Sequence, residues 1–348
     1  MAAVSSSPLI PVGLVGFGTG SSVFHAPLLM SSGKFALTHV LERSTSKSSV
    51  LQPAPQIVRS MDELVAAPVE LIVISTPTHV HFEQAKQAIL AKKHVVVDKP
   101  LTITAKDAQE LVDLAKENGV LFAVFQNRRW DSDFLTVRSL IDSGAFGDLV
   151  KFESHFDRYR PSLKGYWKEQ AELGGGVLYD LGAHLVDQAL QLFGEPDAVD
   201  ADVQIQREGA ENDDYFRLEF KYNKFPQLQV ILTAGMMVKD IGPKYIIEGS
   251  KGKFEKYGED IQEPQLREGL RPGDAGFGDE PESQFGKFVG VDGIEQVIPC
   301  KTGTYDVYYN NIAAAIRTGE KLLVNPVEVV PQIRILEEAK KTERVNRQ

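Results

Sequence analysis

The chain has 348 residues, more than one hydrophobic core usually holds, so its length predicts two domains. With 43% hydrophobic and 25% charged residues, the composition is that of a globular protein and excludes the disordered and collagen-like classes. The net charge of -10, without a long basic run, argues against nucleic acid as a partner.

Three further features predict where the protein works. The single cysteine, Cys300, cannot form an internal disulfide, which fits a reducing compartment. No window of about 18 apolar residues occurs, so no membrane span is expected. The leading stretch "MAAVSSSPLIPVGLVGFG" lacks a basic region and is interrupted by Pro8 and Pro11, which predicts a disordered lead-in to a strand and not a signal peptide. We therefore expect a cytoplasmic protein.

The first part of the chain alternates short apolar runs with stretches of helical length. Near-continuous Val and Ile runs are typical of parallel strands covered on both faces. Strands are predicted at 12–18, 35–42, 71–77, 94–100 and 121–127, with helices at 79–91, 104–118 and 131–142. This β-α alternation predicts a Rossmann-type, doubly wound parallel sheet, which we assign to a cofactor-binding domain over residues 1–127.

After residue 149 the pattern changes to strands of alternating polarity joined mostly by short turns. Strands are predicted at 149–159, 198–208, 214–222, 227–238 and 244–249, and helices at 177–193, 305–317 and 327–343. Residues 128–348 are therefore expected to form an α+β domain with a large, mostly antiparallel open sheet. An uncovered face of that sheet would be apolar, so a homodimer or homotetramer through it is expected.

A glycine-rich turn follows the first strand in "GLVGFGTGSSVF". Gly16 and Gly18 fill the first two positions of the G-x-G-x-x-G pattern, whose turn and backbone amides hold a pyrophosphate. The third position is Ser21, with Gly20 one residue early. An ordinary strand-to-helix turn is the alternative, but its place at the first β-α junction favours a dinucleotide site.

The end of the second strand bears on which dinucleotide fits. Glu42 occupies the place where a carboxylate holds the ribose hydroxyls of NAD, but Arg43, Ser44 and three further polar residues follow it. A guanidinium and hydroxyls suit the 2'-phosphate of NADP. The sequence therefore favours NADP over NAD as the cofactor. A polar turn that faces solvent and binds no cofactor is the other interpretation of these residues.

Asp98, Lys99 and Pro100 end the fourth predicted strand, at the edge where ligands of this fold bind. A partly desolvated lysine there could hydrogen-bond a substrate hydroxyl or share its proton. A surface lysine after a strand is the alternative. A cis Lys99-Pro100 bond is a plausible way to aim the side chain.

The segment "GGGVLYDLGAHLVD" places Asp180, His184 and Asp187 on one stripe of a predicted helix. The stripe could face solvent, hold a metal, or make His184 a general base oriented by Asp180. No further His or Cys cluster supplies a third ligand, so no metal is predicted. The glycines at 174–176 are expected to admit a substrate or a nicotinamide ring, and Asp187 is expected to be structural or at the rim.

Taken together, these motifs resemble the Gfo/Idh/MocA family, the glucose-fructose oxidoreductase and inositol dehydrogenase relatives, over nearly the whole chain. The resemblance rests on the strings "VGLVGFGTGSSVFHAPLL", "STPTHVHFEQA", "HVVVDKPLT", "FQNRRWDSDFLTVRSLI", "DRYRP" and "GGGVLYDLGAHLVDQALQLFGEP". Within the family the chain most resembles the NADP-dependent scyllo-inositol dehydrogenases and their uncharacterised neighbours. The usual Glu-Lys-Pro of the family is Asp98-Lys99-Pro100 here, which keeps the lysine.

The resemblance implies a set of site residues. Catalytic roles would fall to Lys99, Asp180 and His184. Cofactor contacts would come from Gly16, Gly18, Thr19, Ser21, Val23, Phe24, Arg43, Ser44, Thr76, Pro77, His79, His81, Asp98, Lys99, Arg129 and Trp167. Substrate contacts would come from Lys99, Asp157, Arg158, Tyr159, Tyr166, Asp180, His184 and Tyr309.

Two classes of function follow from the sequence. The first is an NAD(P)-dependent oxidoreductase, with NADP(H) favoured, that interconverts a secondary hydroxyl and a ketone or lactone of a cyclic polyol or sugar such as an inositol. The second is a catalytically silent regulatory protein that senses the dinucleotide on the same scaffold. Because Lys99, Asp180 and His184 are all present, the enzyme is favoured.

Overall fold

The computed structural model describes residues 8–165, 167–171 and 174–346. Most of the predicted disordered lead-in, and Tyr166 among the expected substrate contacts, lie outside the described residues. Within the described ranges, no helix combines the length and the apolar character that crossing a membrane requires.

The first sheet has six parallel strands in the order β3-β2-β1-β4-β5-β6. They are β1 Ile10–Val15, β2 Phe35–Leu41, β3 Gln56–Val58, β4 Leu71–Ile74, β5 His94–Val97 and β6 Phe122–Val124. The runs "LIVI" of β4 and "VVV" of β5 are fully buried, as strands covered on both faces require. The predicted Rossmann-type sheet is confirmed.

The helices beside this sheet are α1 Ala26–Ser31, α2 Met61–Ala66, α3 His81–Leu90 and α4 Ala105–Asn118. At the start of α4 the Thr104 hydroxyl accepts a hydrogen bond from the Asp107 amide, and Gly119 ends it with a left-handed φ of 66°. The three-residue β3 and the six-residue α2 were not predicted, because segments so short carry little periodic signal. Helix α5, Ser132–Asp142, leads to the second sheet.

The second sheet has nine strands among the described residues, in the order β14-β13-β12-β11-β7-β10-β9-β8-β15. They are β7 Leu149–His155, β8 Ala198–Ile205, β9 Tyr215–Lys221, β10 Gln229–Gly235, β11 Tyr245–Gly249, β12 Gly252–Lys256, β13 Gly286–Gly290, β14 Glu295–Ile298 and β15 Arg344–Val345. Strands β7 and β10, and strands β8 and β15, pair in parallel, and the other pairs are antiparallel. The predicted mostly antiparallel sheet is confirmed.

One face of this sheet is covered by helices. The remaining helices are α6 Ala183–Phe193, α7 Gln262–Glu268, α8 Asp306–Thr318 and α9 Val329–Lys340. Inward-facing Phe152 of β7 is fully buried, and its ring lies 5.2 Å from that of Phe193 at the end of α6. Helix α6 therefore sits on the sheet with its apolar side inward, which fixes the direction of its polar side chains.

The other face of the second sheet carries ion pairs between neighbouring side chains. Lys151 lies 3.4 Å from Glu153 and 3.9 Å from Glu248, and Lys253 lies 2.7 Å from Glu255. The apolar open face expected from the sequence is therefore wrong, because alternate positions of these strands hold paired charges. A homo-oligomer formed through this sheet stays a prediction, but an apolar open face no longer supports it.

Candidate active site

The turn after β1 combines a tight backbone with an open position. Gly16 has a φ of +85°, and a Cβ there would lie 2.9 Å from the Ser75 carbonyl oxygen. The Ser21 hydroxyl donates to the Gly16 carbonyl at 2.8 Å, which fastens the turn. A Cβ on Gly18 would meet nothing within 4 Å. The turn thus leaves space in front of its second glycine, where a ligand group could approach the backbone.

Gly20 has a packing role that the sequence pattern assigns to another position. A Cβ on it would lie 2.5 Å from the Ser75 hydroxyl oxygen and 2.8 Å from an oxygen of Asp98. Close approach of the strand and the turn therefore depends on Gly20, one residue before the third position of the pattern. Residues Gly20–His25 then form a π-helical turn that leads into α1.

At the end of β2 the Glu42 carboxylate is buried, while Arg43 and Ser44 are exposed. Burial alone would raise the pKa of Glu42, but hydrogen bonds from Ser48, Thr45 and Lys47 bring it down to about 2. The carboxylate therefore stays ionised and is directed into its own loop.

The segment that runs from β4 to the first residue of α3 contains four of the predicted cofactor residues, Thr76, Pro77, His79 and His81. Its buried His81 bridges two carbonyls, with Nε2 2.9 Å from the Thr76 oxygen and Nδ1 3.0 Å from the Pro100 oxygen. Burial lowers the pKa of His81, and Asp98 and the two carbonyls oppose that shift. His79 packs edge-on against Trp167 of the second domain, with ring centroids 6.3 Å apart. His81 thus braces the loops while His79 meets the opposite wall.

Asp98, at the end of β5, anchors the turn that carries Lys99. Its carboxylate accepts hydrogen bonds from the Ser75 hydroxyl at 3.0 Å and from the Lys99 amide at 2.8 Å. Burial alone would raise the pKa of Asp98, but the nearby His25 ring and Lys99 ammonium lower it to about 2. The Lys99-Pro100 bond is cis, as expected from the sequence.

Lys99, Asp180 and Lys168 form a charge cluster that joins the two halves of the molecule. The Lys99 Nζ donates to the Asp180 backbone oxygen at 2.6 Å and to its Oδ1 at 3.0 Å. The Lys168 Nζ donates to the same Oδ1 at 2.6 Å. Although burial opposes it, the two ammonium groups hold the pKa of Asp180 well below its usual value. Burial lowers the pKa of Lys99, and Asp180 opposes that shift.

The helix that carries Asp180 and His184 begins with a π-helical turn, Leu178–Gly182, before α6. This wider turn changes the angle between the two side chains from that of a regular α-helix. No hydrogen bond joins Asp180 to His184 among the described residues, and both lysines donate to Oδ1 of the carboxylate. The prediction that Asp180 orients the imidazole directly is therefore wrong.

His184 is buried, with 5% of its surface exposed, and its Nδ1 has no hydrogen-bond partner in the described part of the chain. Burial, and then the charges of Lys99 and Arg128, hold the pKa of His184 well below its usual value. The imidazole is therefore neutral at physiological pH and can accept a proton. A stripe that simply faces solvent is excluded by this burial.

The glycine segment before this helix is closed in by protein. Gly174 has a φ of +75°, and a Cβ there would lie 2.9 Å from Thr78 of the first domain. Gly176 has a φ of +83°, and a Cβ there would overlap the Asp213 carboxylate. The expectation that these glycines leave room for a ring or substrate is therefore wrong at both positions, because protein atoms already occupy that space.

Farther along α6, Asp187 holds Arg129 in a buried, two-pronged ion pair. The Arg129 Nε and Nη2 donate to the two oxygens of Asp187 at 2.9 and 2.7 Å. Arg129 also donates to the Leu323 carbonyl at 3.3 Å. Asp187 is thus part of the packing between elements, and the guanidinium predicted to contact cofactor is directed at it. No cluster of three or more metal-ligating side chains occurs within the described ranges.

Among the predicted substrate residues at 157–159, Arg158 lies closest to the imidazole in the contacts of the described residues: its guanidinium is 5.6 Å from the Phe156 ring centroid, which is 6.4 Å from that of His184. Arg158 pairs with Glu259 at 3.0 Å, Asp157 lies near His155, and Tyr159 is exposed. Tyr309 is fully buried in the first half of the molecule, where its hydroxyl lies 2.7 Å from the His25 Nδ1. Tyr309 is therefore not placed beside His184, because α8 packs its aromatic side chains against the first sheet.

Sequence reasoning missed several charged or aromatic neighbours of His184. Phe156 lies with its ring centroid 6.4 Å from that of His184, and the Lys244 Nζ is 3.2 Å from the Phe156 centroid. Burial lowers the pKa of Lys244 to about 8. The adjacent arginines in "NRRW" and the lysine after Trp167 were visible in the sequence, but nothing in their spacing distinguished Arg128 or Lys168 from surface residues.

Comparison with known families matches both halves of the chain. Residues 10–126 match the family described as an oxidoreductase family with an NAD-binding Rossmann fold. Residues 138–347 match the C-terminal alpha/beta domain of the same oxidoreductase family, GFO_IDH_MocA.

Individual relatives align over nearly the full length. The chain is 40% identical to scyllo-inositol 2-dehydrogenase (NADP(+)) IolW of Bacillus subtilis, covering 97% of this chain and 95% of that protein. It is also 40% identical to the uncharacterized oxidoreductase YdgJ of Escherichia coli, over 94% of both chains. The solved structure of YvaA from Bacillus subtilis superposes with a TM-score of 0.91 at 40% identity, covering 96% of this chain and 95% of that chain.

Proposed function

The chain belongs to the Gfo/Idh/MocA oxidoreductase family, and from this premise we propose that it is an NADP(H)-dependent dehydrogenase or reductase. Its substrate is a cyclic polyol or sugar, in which it interconverts a secondary hydroxyl with a ketone or lactone. We assign residues 1–127 to cofactor binding and residues 128–348 to substrate binding and oligomerisation. We place the protein in the cytoplasm as a homodimer or homotetramer.

The observation that carries the proposal is the pairing of a cation with a neutral base. Lys99, positioned by Asp180, presents an ammonium group, and the buried His184 stays unprotonated at physiological pH. Oxidation of an alcohol needs both, because a base must take the hydroxyl proton and a cation must stabilise the alkoxide that forms. When bound, a nicotinamide ring accepts or supplies the hydride.

Each residue has a defined task in this proposal. His184 takes the proton from the substrate hydroxyl in the oxidative direction and returns it in the reductive one. Lys99 donates a hydrogen bond to the same oxygen and stabilises its developing negative charge. Asp180 keeps Lys99 charged and in place, with Lys168 as its second cation. Asp180 thus acts through the lysine and not through the imidazole.

The residues of the first domain fit a dinucleotide. Gly18 has open space in front of its backbone, and the Gly16 turn is held by the Ser21 hydroxyl. The exposed Arg43 and Ser44 offer a cation and a hydroxyl where a 2'-phosphate would lie. The names of the relatives support a polyol substrate and NADP, since the Bacillus subtilis protein is an NADP-dependent inositol dehydrogenase.

A test of the activity starts with the purified protein and a panel of inositols, inososes, aldoses and sugar lactones. Reduction of NADP or oxidation of NADPH on at least one compound is expected, and it should exceed the rate with NAD or NADH. Tight binding of NADPH without turnover on any of them would instead favour the dinucleotide-sensing alternative.

A lysine variant tests the assignment of the site. Lys99→Met should lower kcat by about a thousandfold or more, because the alkoxide loses its cation. The Kd of NADPH should stay within about threefold of the wild-type value. Lys116→Met, at an exposed position of α4, is the matched control and should keep normal turnover. A Lys99→Met enzyme with near-normal kcat would remove Lys99 from the mechanism.

A further inference from the structure

The Glu42 carboxylate is occupied by its own loop. Its Oε1 accepts hydrogen bonds from the Ser48 amide at 2.8 Å and the Ser48 hydroxyl at 2.6 Å. Its Oε2 accepts from the Lys47 amide at 2.8 Å and from the Thr45 hydroxyl. Only 4% of the surface of Glu42 is exposed. The loop from residue 43 to 48 is therefore folded around a buried anion.

These four hydrogen bonds use the accepting capacity of the carboxylate. Each carboxylate oxygen has two lone-pair sites, and each oxygen of Glu42 already accepts two hydrogen bonds. A ribose hydroxyl could bind Glu42 only by displacing one of these donors. In NAD-binding members of this fold the acidic residue after the second strand is free to accept from both ribose hydroxyls. Glu42 is not available for that contact.

Arg59, just after β3, fastens the same loop from the outside. Its Nη1 donates to the Glu42 carbonyl at 2.6 Å and to the Thr45 carbonyl, and its Nη2 donates to the Ser46 hydroxyl at 3.0 Å. The Glu42 amide in turn donates to the Val58 carbonyl at 3.1 Å. The loop is thus held at both faces before any ligand binds.

Two residues of the loop lie outside its contacts with the Glu42 carboxylate, and both suit a phosphate. Arg43 and Ser44 are exposed, and neither side chain makes a hydrogen bond or ion pair with the described residues. They lie next to the glycine turn, because the Gly16 amide donates to the Leu41 carbonyl at 3.0 Å. A guanidinium and a hydroxyl therefore remain available at the place where the adenosine ribose of this fold binds.

We propose that Glu42 selects NADP by acting as the internal anchor of the 43–48 loop, and that it is not a ligand of the ribose hydroxyls. The anchored loop denies NAD its acceptor and presents Arg43 and Ser44 to a 2'-phosphate. This inference rests on the proposed function, since it assigns a specificity-determining residue to the cofactor site of that enzyme.

The first test measures nucleotide binding directly, by titration calorimetry with NADPH and with NADH. Glu42→Gln replaces two accepting sites by donors, so the loop loses its anchor. We expect the Kd of NADPH to rise by about tenfold while the Kd of NADH changes by less than about twofold. Hydrogen exchange of residues 43–48 in the free protein should become faster, which reports loop anchoring without any ligand.

The second test frees the carboxylate instead of removing it. The double variant Thr45→Val with Ser48→Ala deletes the two hydroxyl donors, so Glu42 can accept from a ribose. The ratio of the Kd of NADH to that of NADPH should fall by about tenfold. Ser49→Ala is the matched control, because its hydroxyl bonds Ser46 in the same loop without touching Glu42.

The outcomes separate this inference from the function on which it rests. A Glu42→Gln protein that loses NADH affinity alone, that changes both Kd values equally, or that shows no change, overturns the anchoring role while leaving the oxidoreductase intact. Failure of the wild-type protein to bind either nucleotide overturns the proposed function, and the inference falls with it.

Discussion

Two glycine-rich segments of this chain look alike in sequence and differ in what surrounds them. In the segment from Gly16 to Gly20, the middle glycine faces open space. In the segment from Gly174 to Gly176, both outer glycines lie against protein atoms, one against Thr78 and the other against Asp213. The first segment leaves room for a ligand, whereas the second allows the start of the helix that carries Asp180 and His184 to be fixed by its neighbours.

The difference shows that a missing side chain can serve binding or folding, and that only the surroundings decide which. At Gly176 the space is filled by a carboxylate that accepts a hydrogen bond from the Leu178 amide at 2.6 Å. That contact orients the π-helical turn on which Asp180 lies. A methyl group added to either segment should therefore have a different cost, and the two costs can be measured separately.

The largest effect is expected at the second segment. Gly176→Ala adds a methyl group that overlaps Asp213 at a φ of +83°, so strain and displacement combine. The free energy of unfolding should fall by about 3 kcal/mol or more, measured by urea denaturation. Gly119→Ala, at a φ of +66° with nothing nearby, is the control for backbone strain alone and should cost about 1 kcal/mol. Equal costs for the two variants would show that Asp213 does not fill the space.

At the first segment the effect should move from folding to binding. Gly18→Ala adds a methyl group to open space at an ordinary φ, so the free energy of unfolding should change by less than about 0.5 kcal/mol. The Kd of NADPH should rise by about tenfold or more, because the methyl group occupies the approach to the backbone. Unchanged NADPH affinity in a normally folded variant would mean that the pyrophosphate does not approach this turn.

A smaller, pH-dependent loss of stability is expected when Lys340, whose ammonium group pairs with the Asp213 carboxylate, is replaced. Burial raises the pKa of Asp213, and the Lys340 ammonium, 2.6 Å away, opposes that shift. Lys340→Met removes this opposition, so the folded-state pKa rises further above the unfolded value. A carboxyl group whose pKa is higher in the folded state stabilises the fold at low pH. This contribution to the free energy of unfolding is lost as the pH rises through the folded-state pKa. The variant should therefore be destabilised more near pH 7 than near pH 4.

Denaturation of the variant and the wild-type protein at both pH values measures this difference. Lys341→Met is the matched control, since its exposed ammonium pairs with Glu338 and leaves Asp213 untouched. A destabilisation of Lys340→Met that is the same at both pH values would show that the Asp213 charge is not what the lysine stabilises.

Much of the fold could be predicted from the sequence, because buried parallel strands and capped helices carry strong local signals. The "LIVI" and "HVVV" runs and the Thr104 and Gly119 caps are of this kind. Strands β12 to β14 were missed, since their glycines, lysines and glutamates resemble a loop. Lys256 of β12 is nevertheless fully buried, where it pairs with Glu280 at 2.7 Å. No local sequence pattern predicts a buried ion pair of this kind.

For the site, the sequence could not supply the contacts between the residues that it assigns there. The contact between Lys99 and Asp180 joins positions 81 residues apart, which no helical wheel can show. The expected contact between Asp180 and His184 assumed a regular helix, and the π-helical turn Leu178–Gly182 breaks that assumption. Whether a polar side chain faces a ligand or its own loop, as at Glu42, depends on turns that periodicity does not describe.

The hydrogen bond between Lys340 and Asp213 also sets an order of events during folding. It joins α9 to a residue 127 positions earlier, and the same carboxylate fixes the start of the helix that carries Asp180 and His184. Contacts of such long sequence separation form late, because a long loop must close before they yield any stabilisation. Strand pairs of the first sheet, such as Val12 of β1 with Leu71 of β4, span shorter loops, but the geometry around Asp180 is completed only after α9 has docked. Nascent chains that have not yet reached α9 would therefore carry all three side chains of the proposed catalytic set without an assembled site.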